Sequence, residues 1–481
     1  MAAEGVGPAA LGRTRTMTII PKPKPEVRAV RLPGGVHYGW VIVAILSVVQ
    51  IVSQSVGMAA GVMVPPLNDP DGGFGWSIGA IGAGLATYYL TGAIFSPICG
   101  WLADRYGAHK MMVAAAVLFT VSMVLLGHIV ALWQFFLVFG VMLALTQTLA
   151  MIPLIEALNG WFHRRLGLGV GILWAAGGLG SAAIAPTVGY LLESIGWQAT
   201  FSTIGITGGG AIFLVAPFFR NRPAQLGIKP YGAVDDAPPE AGWTKAMQRL
   251  RLKVFNRRIR QTKEFWNLPL IHSLGCAGHG IILIYSIPLA VEQGISLTGA
   301  ALIISIINIF SIASRFVTPM MTERFGGKPA MAAALGVQGL TVLVLFWAND
   351  PWVFYVFAVL FGIGYGGEMS AYPVVNRQYF GFGPLGTFYG IEITGALLGH
   401  AVATILAGFV IFVTGSFTAI LILSMSFSFV GVLIILSLAT STRLLIPDWE
   451  EALPVEARST PASARAEARR AALQELNPGV D

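Results

Sequence analysis

GWLADRYGAHK, residues 100–110, is a short charged segment set between two long apolar runs. A degraded copy, PMMTERFGGK, stands at residues 319–328. In each, an acid and an arginine adjoin, Asp104–Arg105 and Glu323–Arg324, and a glycine two residues later permits a tight turn (Gly107, Gly326). Gly100 and Lys110 bracket the first copy. Two copies separated by nearly half the chain predict two similar halves, each with its charged turn after the second apolar segment.

Composition agrees with a membrane setting. Of 481 residues, 55% are hydrophobic and only 11% charged, with a mean hydropathy of +0.72. A soluble domain carries roughly 25% charged residues, so lipid is the expected solvent. A membrane helix needs about 20 mostly apolar residues. Twelve such spans read out at 38–66, 77–103, 110–129, 131–159, 167–191, 198–219, 267–291, 297–321, 329–348, 351–373, 386–413 and 416–441. The expected architecture is an all-α membrane protein with twelve transmembrane helices in two pseudo-symmetric six-helix bundles. Its divisions are an N-terminal tail (1–36), a first bundle (37–219), a linker (220–266), a second bundle (267–441) and a C-terminal tail (442–481). The first apolar run starts only after a polar, Pro-rich stretch, which argues against a cleaved signal peptide. Cys99 and Cys276 lie in apolar segments and imply no disulfide framework.

Positive charge sets the direction. Of the 30 Lys and Arg residues, 29 fall in the two tails, the linker and the loops after spans two, four, eight and ten. None falls in the loops of the other side. Such an excess marks the cytoplasmic face, so both termini are expected in the cytoplasm, and a bacterial inner membrane is the expected location. The net charge of +7 is explained in this way and implies no nucleic-acid partner. Trp243, Met247, Leu250 and Val254 recur at helical spacing in the linker beside Lys245, Arg249, Arg257 and Arg258. That pattern fits either a helix lying on an anionic leaflet or a solvated basic linker.

The thirtieth cation, Arg315, lies inside span eight. A charge there costs about 2.5–3.5 kcal/mol on insertion scales, so it must meet a cavity or a partner. Asn308 and Ser311 precede it by seven and four residues and share its face. Arg315 is read either as a guanidinium fork that clamps a substrate carboxylate or as half of an ion pair with Glu392 or another acid. Span one presents a polar face, Gln50, Ser53, Gln54 and Gly57, which must meet protein or water. Tyr285 and His400 are further candidates for the binding cavity, and Tyr88, Tyr89, Gln147, Trp174, Tyr365 and Tyr389 are aromatic or amide residues able to line it. His279 and His400, which titrate near physiological pH, are candidates for coupling proton to substrate, or for bridging helices; for His272 the bridging role is favoured. Glu156 and Glu368 precede Arg164 and Arg377 by similar distances, and both are expected near the cytoplasmic face, pairing with the basic loop signatures or carrying protons. Glu392 could instead gate the inner mouth. Glycines of spans two, five and eleven, among them Gly395 and Gly399, allow close helix approach.

These segments resemble the major facilitator superfamily over about residues 38–441, and GWLADRYGAHK is similar to its 2–3 loop signature. HYGWVIVA (37–44), GWFHRRLGLGVGILWAAGGLG (160–180), ASRFVTPMM (313–321) and YGGEMSAYPVVNRQYFG (365–381) followed by GTFYG (386–390) resemble its monocarboxylate transporter and oxalate:formate antiporter branch. The resemblance implies alternating access, small organic anions as cargo, an anion held by the arginine of the eighth helix, and helices two against eleven and five against eight across the halves. Monocarboxylate carriers of animal type place an aspartate one turn before that arginine; here the residue is Ser311. Oxalate carriers add a lysine in the eleventh helix, which has none here but contains His400.

No phosphate-cradling GxxxxGK[ST] loop or zinc-type Cys/His spacing is present in the sequence, so neither direct ATP drive nor a metal is expected. No cofactor and no enzymatic activity are expected. The reading is a secondary active transporter of small organic anions, monocarboxylates foremost, working by proton symport or anion exchange as a monomer in the lipid bilayer. The alternatives are a drug or amphipath exporter of the same superfamily and a non-transporting membrane sensor.

Overall fold

The computed structural model describes residues 36–68, 74–233, 243–295, 297–441 and 443–459, and the expectations for the two terminal tails fall largely outside it. Among the described residues twelve helices make up the two halves. The first half contains α1 (Gly39–Asn68), α2 (Ile78–Tyr106), α3 (Ala108–Gly127) and α4 (Leu132–Trp161). A continuous helix Leu166–Val215 breaks at Gly196 (φ 75°, ψ 176°), which divides it into α5 (166–195) and α6 (197–215). The second half contains α7 (Lys263–Glu292), α8 (Leu297–Phe325), α9 (Gly327–Trp347), α10 (Pro351–Phe380), α11 (Gly386–Thr414) and α12 (Phe417–Ser437). Among the described residues ten of these are long and apolar enough to span a bilayer; α1 and α5 contribute the shorter apolar stretches Gly39–Ser53 and Leu166–Gly180.

The ends of these helices follow from their residues. Ser77 caps α2 by accepting the Ala80 N–H (3.2 Å), and Thr262 caps α7 by accepting that of Phe265 (3.3 Å). Between α2 and α3 the chain turns on Gly107 (φ 84°, ψ 154°), and between α8 and α9 on Gly326 (φ 93°, ψ 153°). The repeated loop motif therefore has the same backbone in both halves, in a conformation that favours glycine. This end of the molecule, which carries the basic loops, is called the charged end below; the opposite end is the far end.

Packing differs between the two ends. At the charged end one apolar core crosses the halves, joining Leu46, Leu158 and Trp174 to Val374, Tyr389 and Ile393. At the far end each half keeps its own core, one around Phe119, Phe135 and Phe201, the other around Ile303, Phe357 and Phe361. Among the described residues the halves are thus sealed at the charged end and keep separate cores at the far end.

The linker helix Lys245–Ile259 does not lie with its apolar side on lipid. Phe255 and Ile259 are fully buried in the core of the second half, with Met247 and Val254 packed against it. Nor is the C-terminal region only a tail. Residues 443–459 fold onto this helix, where Arg251 forms a buried ion pair with Glu450 (2.7 Å) and donates to the Ala457 carbonyl (2.6 Å). The Arg251 guanidinium also stacks over Trp243 and Trp449, at 3.8 and 4.9 Å from the ring centres. Removing one partner of a buried ion pair costs about 3–5 kcal/mol because the other charge is left stranded. Glu450→Ala should therefore release this segment, and trypsin cleavage after Arg458 in the folded protein should accelerate about tenfold.

Candidate functional site

Two seams join the halves, α2 with α11 and α5 with α8. Asp104 at the end of α2 accepts the N–H groups of Gly386 and Thr387 (3.0 and 2.7 Å), the first residues of α11. Glu323 at the end of α8 accepts those of Leu166 and Gly167 (3.2 and 2.8 Å), the first residues of α5. Each loop-signature acid thus caps the positive end of a helix in the opposite half. Glu156 accepts the Leu385 N–H (3.1 Å), and Arg377 reaches across to the carbonyls of Asn159 (3.1 Å) and Phe162 (3.5 Å). His163, in the loop before α5, is pushed down to about 4 by burial and by Arg377, so it stays neutral beside that cation. Arg105 packs its guanidinium on Trp101 and Tyr106.

Above these latches the seams are bare backbone. A Cβ added at Gly100 would lie 2.3 Å from the Gly386 carbonyl oxygen, one at Gly171 2.4 Å from that of Phe316, and one at Gly167 2.4 Å from that of Pro319. Higher still, Thr394 donates to the Ala93 carbonyl (2.8 Å), Gly178 meets Ile312, Gly92 meets Leu397, and Tyr89 stacks on His400 (5.9 Å between rings). Gly82, seven residues beyond Tyr89 on the same face of α2, has nothing within 4 Å of its would-be Cβ. Among the described residues the α2–α11 contact therefore gives way beyond Tyr89 and His400.

Gly395 and Gly399 belong to a different contact from the one the sequence suggests. They meet the carbonyls of Pro269 and Ser273 on α7, within the second half (Cβ to O 2.2 and 2.1 Å). α11 has two faces of small residues, and the face toward α2 is Gly386, Gly390 and Thr394.

Arg315 sits on α8 with 4% of its surface exposed. One Nη2–H donates to the Tyr365 hydroxyl (3.0 Å) and contacts the Met369 sulfur (3.8 Å), and the guanidinium lies over the Tyr365 ring (5.2 Å). Its Nε has no hydrogen-bond partner, and among the described residues no acid pairs with it. Glu392 is not its partner: that carboxylate accepts from Asn376 (2.8 Å), leaving Oε1 unpartnered. Ser311 donates to the Asn308 carbonyl (2.7 Å), and Asn308 donates to that of Ile304 (3.0 Å), so both are engaged by their own helix.

Next to Arg315 lies a second polar cluster. The His279 ring meets Tyr365 edge-on (4.7 Å) and His400 (4.9 Å), with the two Nε2 atoms 3.4 Å apart. On its other side, His279 Nδ1 is 3.7 Å from Glu368 Oε2. Glu368 Oε1 accepts from the Tyr372 hydroxyl (2.7 Å), and His272 stacks on Tyr372 (4.0 Å). Glu368 is therefore deep in the second half, far from the loop signatures the sequence pairs it with. The Cys276 sulfur and one nitrogen each of His279 and His400 lie within 4.8 Å of one another, the nearest approach to a metal-binding set among the described residues. Distant segments assemble this cluster, and only the helical spacings within α7 (His272, Cys276, His279) and within α10 (Tyr365, Glu368, Tyr372) are visible in sequence.

The remaining candidates lie elsewhere. Gln50 is buried against Gly177 of α5, and Tyr285 points at Gly408 of α11. The side chain of Gln54 and the surroundings of Gly57 lie outside what is described. Tyr88 donates to Gln147 and, with Gly92, Thr148, Ile393 and Leu397, lines a small cavity between the halves that does not include Arg315.

The sequence pattern that defines the Major Facilitator Superfamily matches residues 39–391 and 270–475. The chain belongs to this superfamily. Its members are transporters rather than enzymes, and this chain is a multi-pass membrane transporter. It is 25% identical to human monocarboxylate transporter 11 over 433 residues, 85% of this chain and 86% of that one. Rat monocarboxylate transporter 12 is 24% identical over 354 residues (68% and 71%), and the MFS-type transporter pynF of Aspergillus niger is 26% identical over 319 (63% and 68%). Among solved structures, the superfamily transporter FucP in the outward conformation aligns with a TM-score of 0.64 at 14% identity, covering 83% of this chain and 99% of that one. The proton:xylose symporter XylE aligns at 0.66 and 12% (87% and 99%). At these identities the superfamily structures share the fold and nothing finer.

Proposed function

We propose that this superfamily member is a secondary active carrier of short monocarboxylates, and that Arg315 holds the carboxylate. The observation behind this reading is a guanidinium buried at mid-membrane with no acid beside it among the described residues and with Nε lacking any acceptor. A charge so placed needs a counter-ion, and a fork of N–H donors suits a carboxylate. The Tyr365 hydroxyl on Nη2 holds a place that a substrate oxygen can take. The relatives named monocarboxylate transporters support the same class of cargo. With the basic loops in the cytoplasm, as the charge distribution favours, the described state is outward-facing: latched at the cytoplasmic end and open beyond Tyr89 and His400. Alternating access then requires the latches of Asp104, Glu156, Glu323 and Arg377 to part while the far end closes.

One fixed cation suits a monoanion better than a dianion. In a thermal-shift screen of purified protein, glycolate, L-lactate and pyruvate should raise the melting temperature in a saturable way, and oxalate should do so at least tenfold more weakly. Counterflow of the best monocarboxylate in proteoliposomes tests transport directly. Stabilisation by oxalate alone, or no exchange of any monocarboxylate, would reject the assignment.

A further inference from the structure

We propose that the pair His279–Glu368 carries the coupling proton of this carrier and receives it through His400. The inference rests on the carboxylate reading above but concerns different residues. Ser311, one turn before Arg315, offers no acid beside the guanidinium and its hydroxyl is tied to its own helix, so a coupling proton needs another seat.

Both members of the pair are buried, His279 at 0% and Glu368 at 2% exposure. His279 Nδ1 and Glu368 Oε2 are each without a hydrogen-bond partner, yet they face each other across 3.7 Å. That gap is too long for a hydrogen bond, and a proton placed between them closes it. A route leads in from the open side. Tyr89 is 38% exposed and stacks on the half-buried His400, whose Nε2 is 3.4 Å from that of His279. A proton on His400 Nε2 passes to His279 Nε2. The ring then gives its Nδ1 proton to Glu368 Oε2, so His279 ends neutral in its other tautomer and the carboxylate ends as an acid. Release reverses these transfers.

Charge counting ties the proton to the substrate. Tyr365 bridges the two sites, its hydroxyl on Arg315 and its ring edge-on to His279. With no substrate, the Glu368 anion offsets the Arg315 cation at a distance, across Tyr365 and His279 rather than as an ion pair. With a monocarboxylate on Arg315 the balance moves there, and Glu368 must be protonated. The loaded and empty carriers are then equally neutral in a medium that penalises net charge, and a carrier holding only one of the two ligands is not. Coupling is therefore one proton per monoanion. The other groups around the pair are His272 and Cys276 on α7, Tyr365 and Tyr372 on α10, and His400 and Glu392 on α11. Among the described residues α9 contributes Gln338, α12 contributes Ser424 and Ser428, and α8 contributes Arg315 through Tyr365.

The test uses full-length protein in proteoliposomes with a trapped pH dye and the monocarboxylate that binds best among glycolate, L-lactate and pyruvate. In the wild type an outside-acid gradient should raise uptake at least tenfold, with protons entering in step. Glu368→Gln mimics the protonated acid permanently. It should pass the loaded state and keep counterflow within about threefold, but it leaves Arg315 unbalanced when empty. The gradient response should therefore fall below twofold. If that variant does not purify as a single species, His400→Asn should show the same split between lost gradient response and retained exchange. Full gradient response in both variants overturns the proposal, as does wild-type exchange with no proton entry or a stoichiometric transition metal bound at Cys276, His279 and His400. Absence of any monocarboxylate exchange in the wild type is a separate result that removes the carrier reading itself.

Discussion

Arg315→Leu should abolish saturable carboxylate binding and exchange while the protein still assembles in the membrane. Hydrogen bonds to a charged group contribute about 1.5–3 kcal/mol each, and a fork makes two of them, so the loss is about 3–6 kcal/mol. At about 1.4 kcal/mol per tenfold this is at least a hundredfold in affinity. Assembly should survive because the substitution removes a buried charge that has no acid partner among the described residues, and leucine suits the apolar interior better than an unpaired cation. Arg315→Lys separates charge from shape. It keeps the cation, but a compact ammonium offers no planar fork, so affinity should fall about tenfold. Equal binding by all three proteins, measured by thermal shift and counterflow, would place the anion elsewhere.

Much of the scaffold was legible because its signals are local. Apolar length gave the twelve spans, and the acid–arginine–glycine motif gave the repeat, whose two glycines share one backbone conformation at 107 and 326. What the acids of that motif do was not legible, because Asp104 and Glu323 bond to helix starts in the opposite half. Small residues likewise announce a close contact without naming the partner. Gly395 and Gly399 announce a close approach of α11 to another helix, and that helix is α7 inside the same half. Glu156 and Glu368 were paired by their spacing from a following arginine. Glu156 stands five residues from the end of its helix and Glu368 twelve, so one joins the charged end while the other lies beside His279. The linker helix showed an apolar stripe, but an amphipathic pattern does not say whether lipid or protein covers it; here the core of the second half and the 443–459 segment do. Arg315 was legible because an isolated charge in a span is conspicuous on energetic grounds alone. Its tie to Tyr365 was not.

Gly171→Leu should block transport by holding the halves apart at the charged end. The would-be Cβ lies 2.4 Å from the Phe316 carbonyl oxygen and 3.2 Å from its carbon, and real Cβ atoms essentially never come within 3.0 Å of such a neighbour. That carbonyl is part of the α8 ladder, so it cannot turn away without breaking a helical hydrogen bond. The clash exists only in the state sealed at this end. Overpacking of this kind costs about 1–3 kcal/mol, and an alternating-access carrier divides its time between states only a few kcal/mol apart. Uptake should consequently fall about 10–100-fold, with the protein shifted toward the state open at the charged end. Ser96, fully buried in the α2–α11 seam, reports that shift. With Cys99 and Cys276 replaced by alanine, Ser96→Cys should react slowly with a water-soluble maleimide, and adding Gly171→Leu should speed the reaction at least tenfold. Gly210 of α6, with open space around it, supplies the contrast: Gly210→Leu should leave both uptake and labelling within twofold. Normal uptake in Gly171→Leu would mean that the α5–α8 seam tolerates a side chain, and that the bare-backbone contacts are not what closes this end of the carrier.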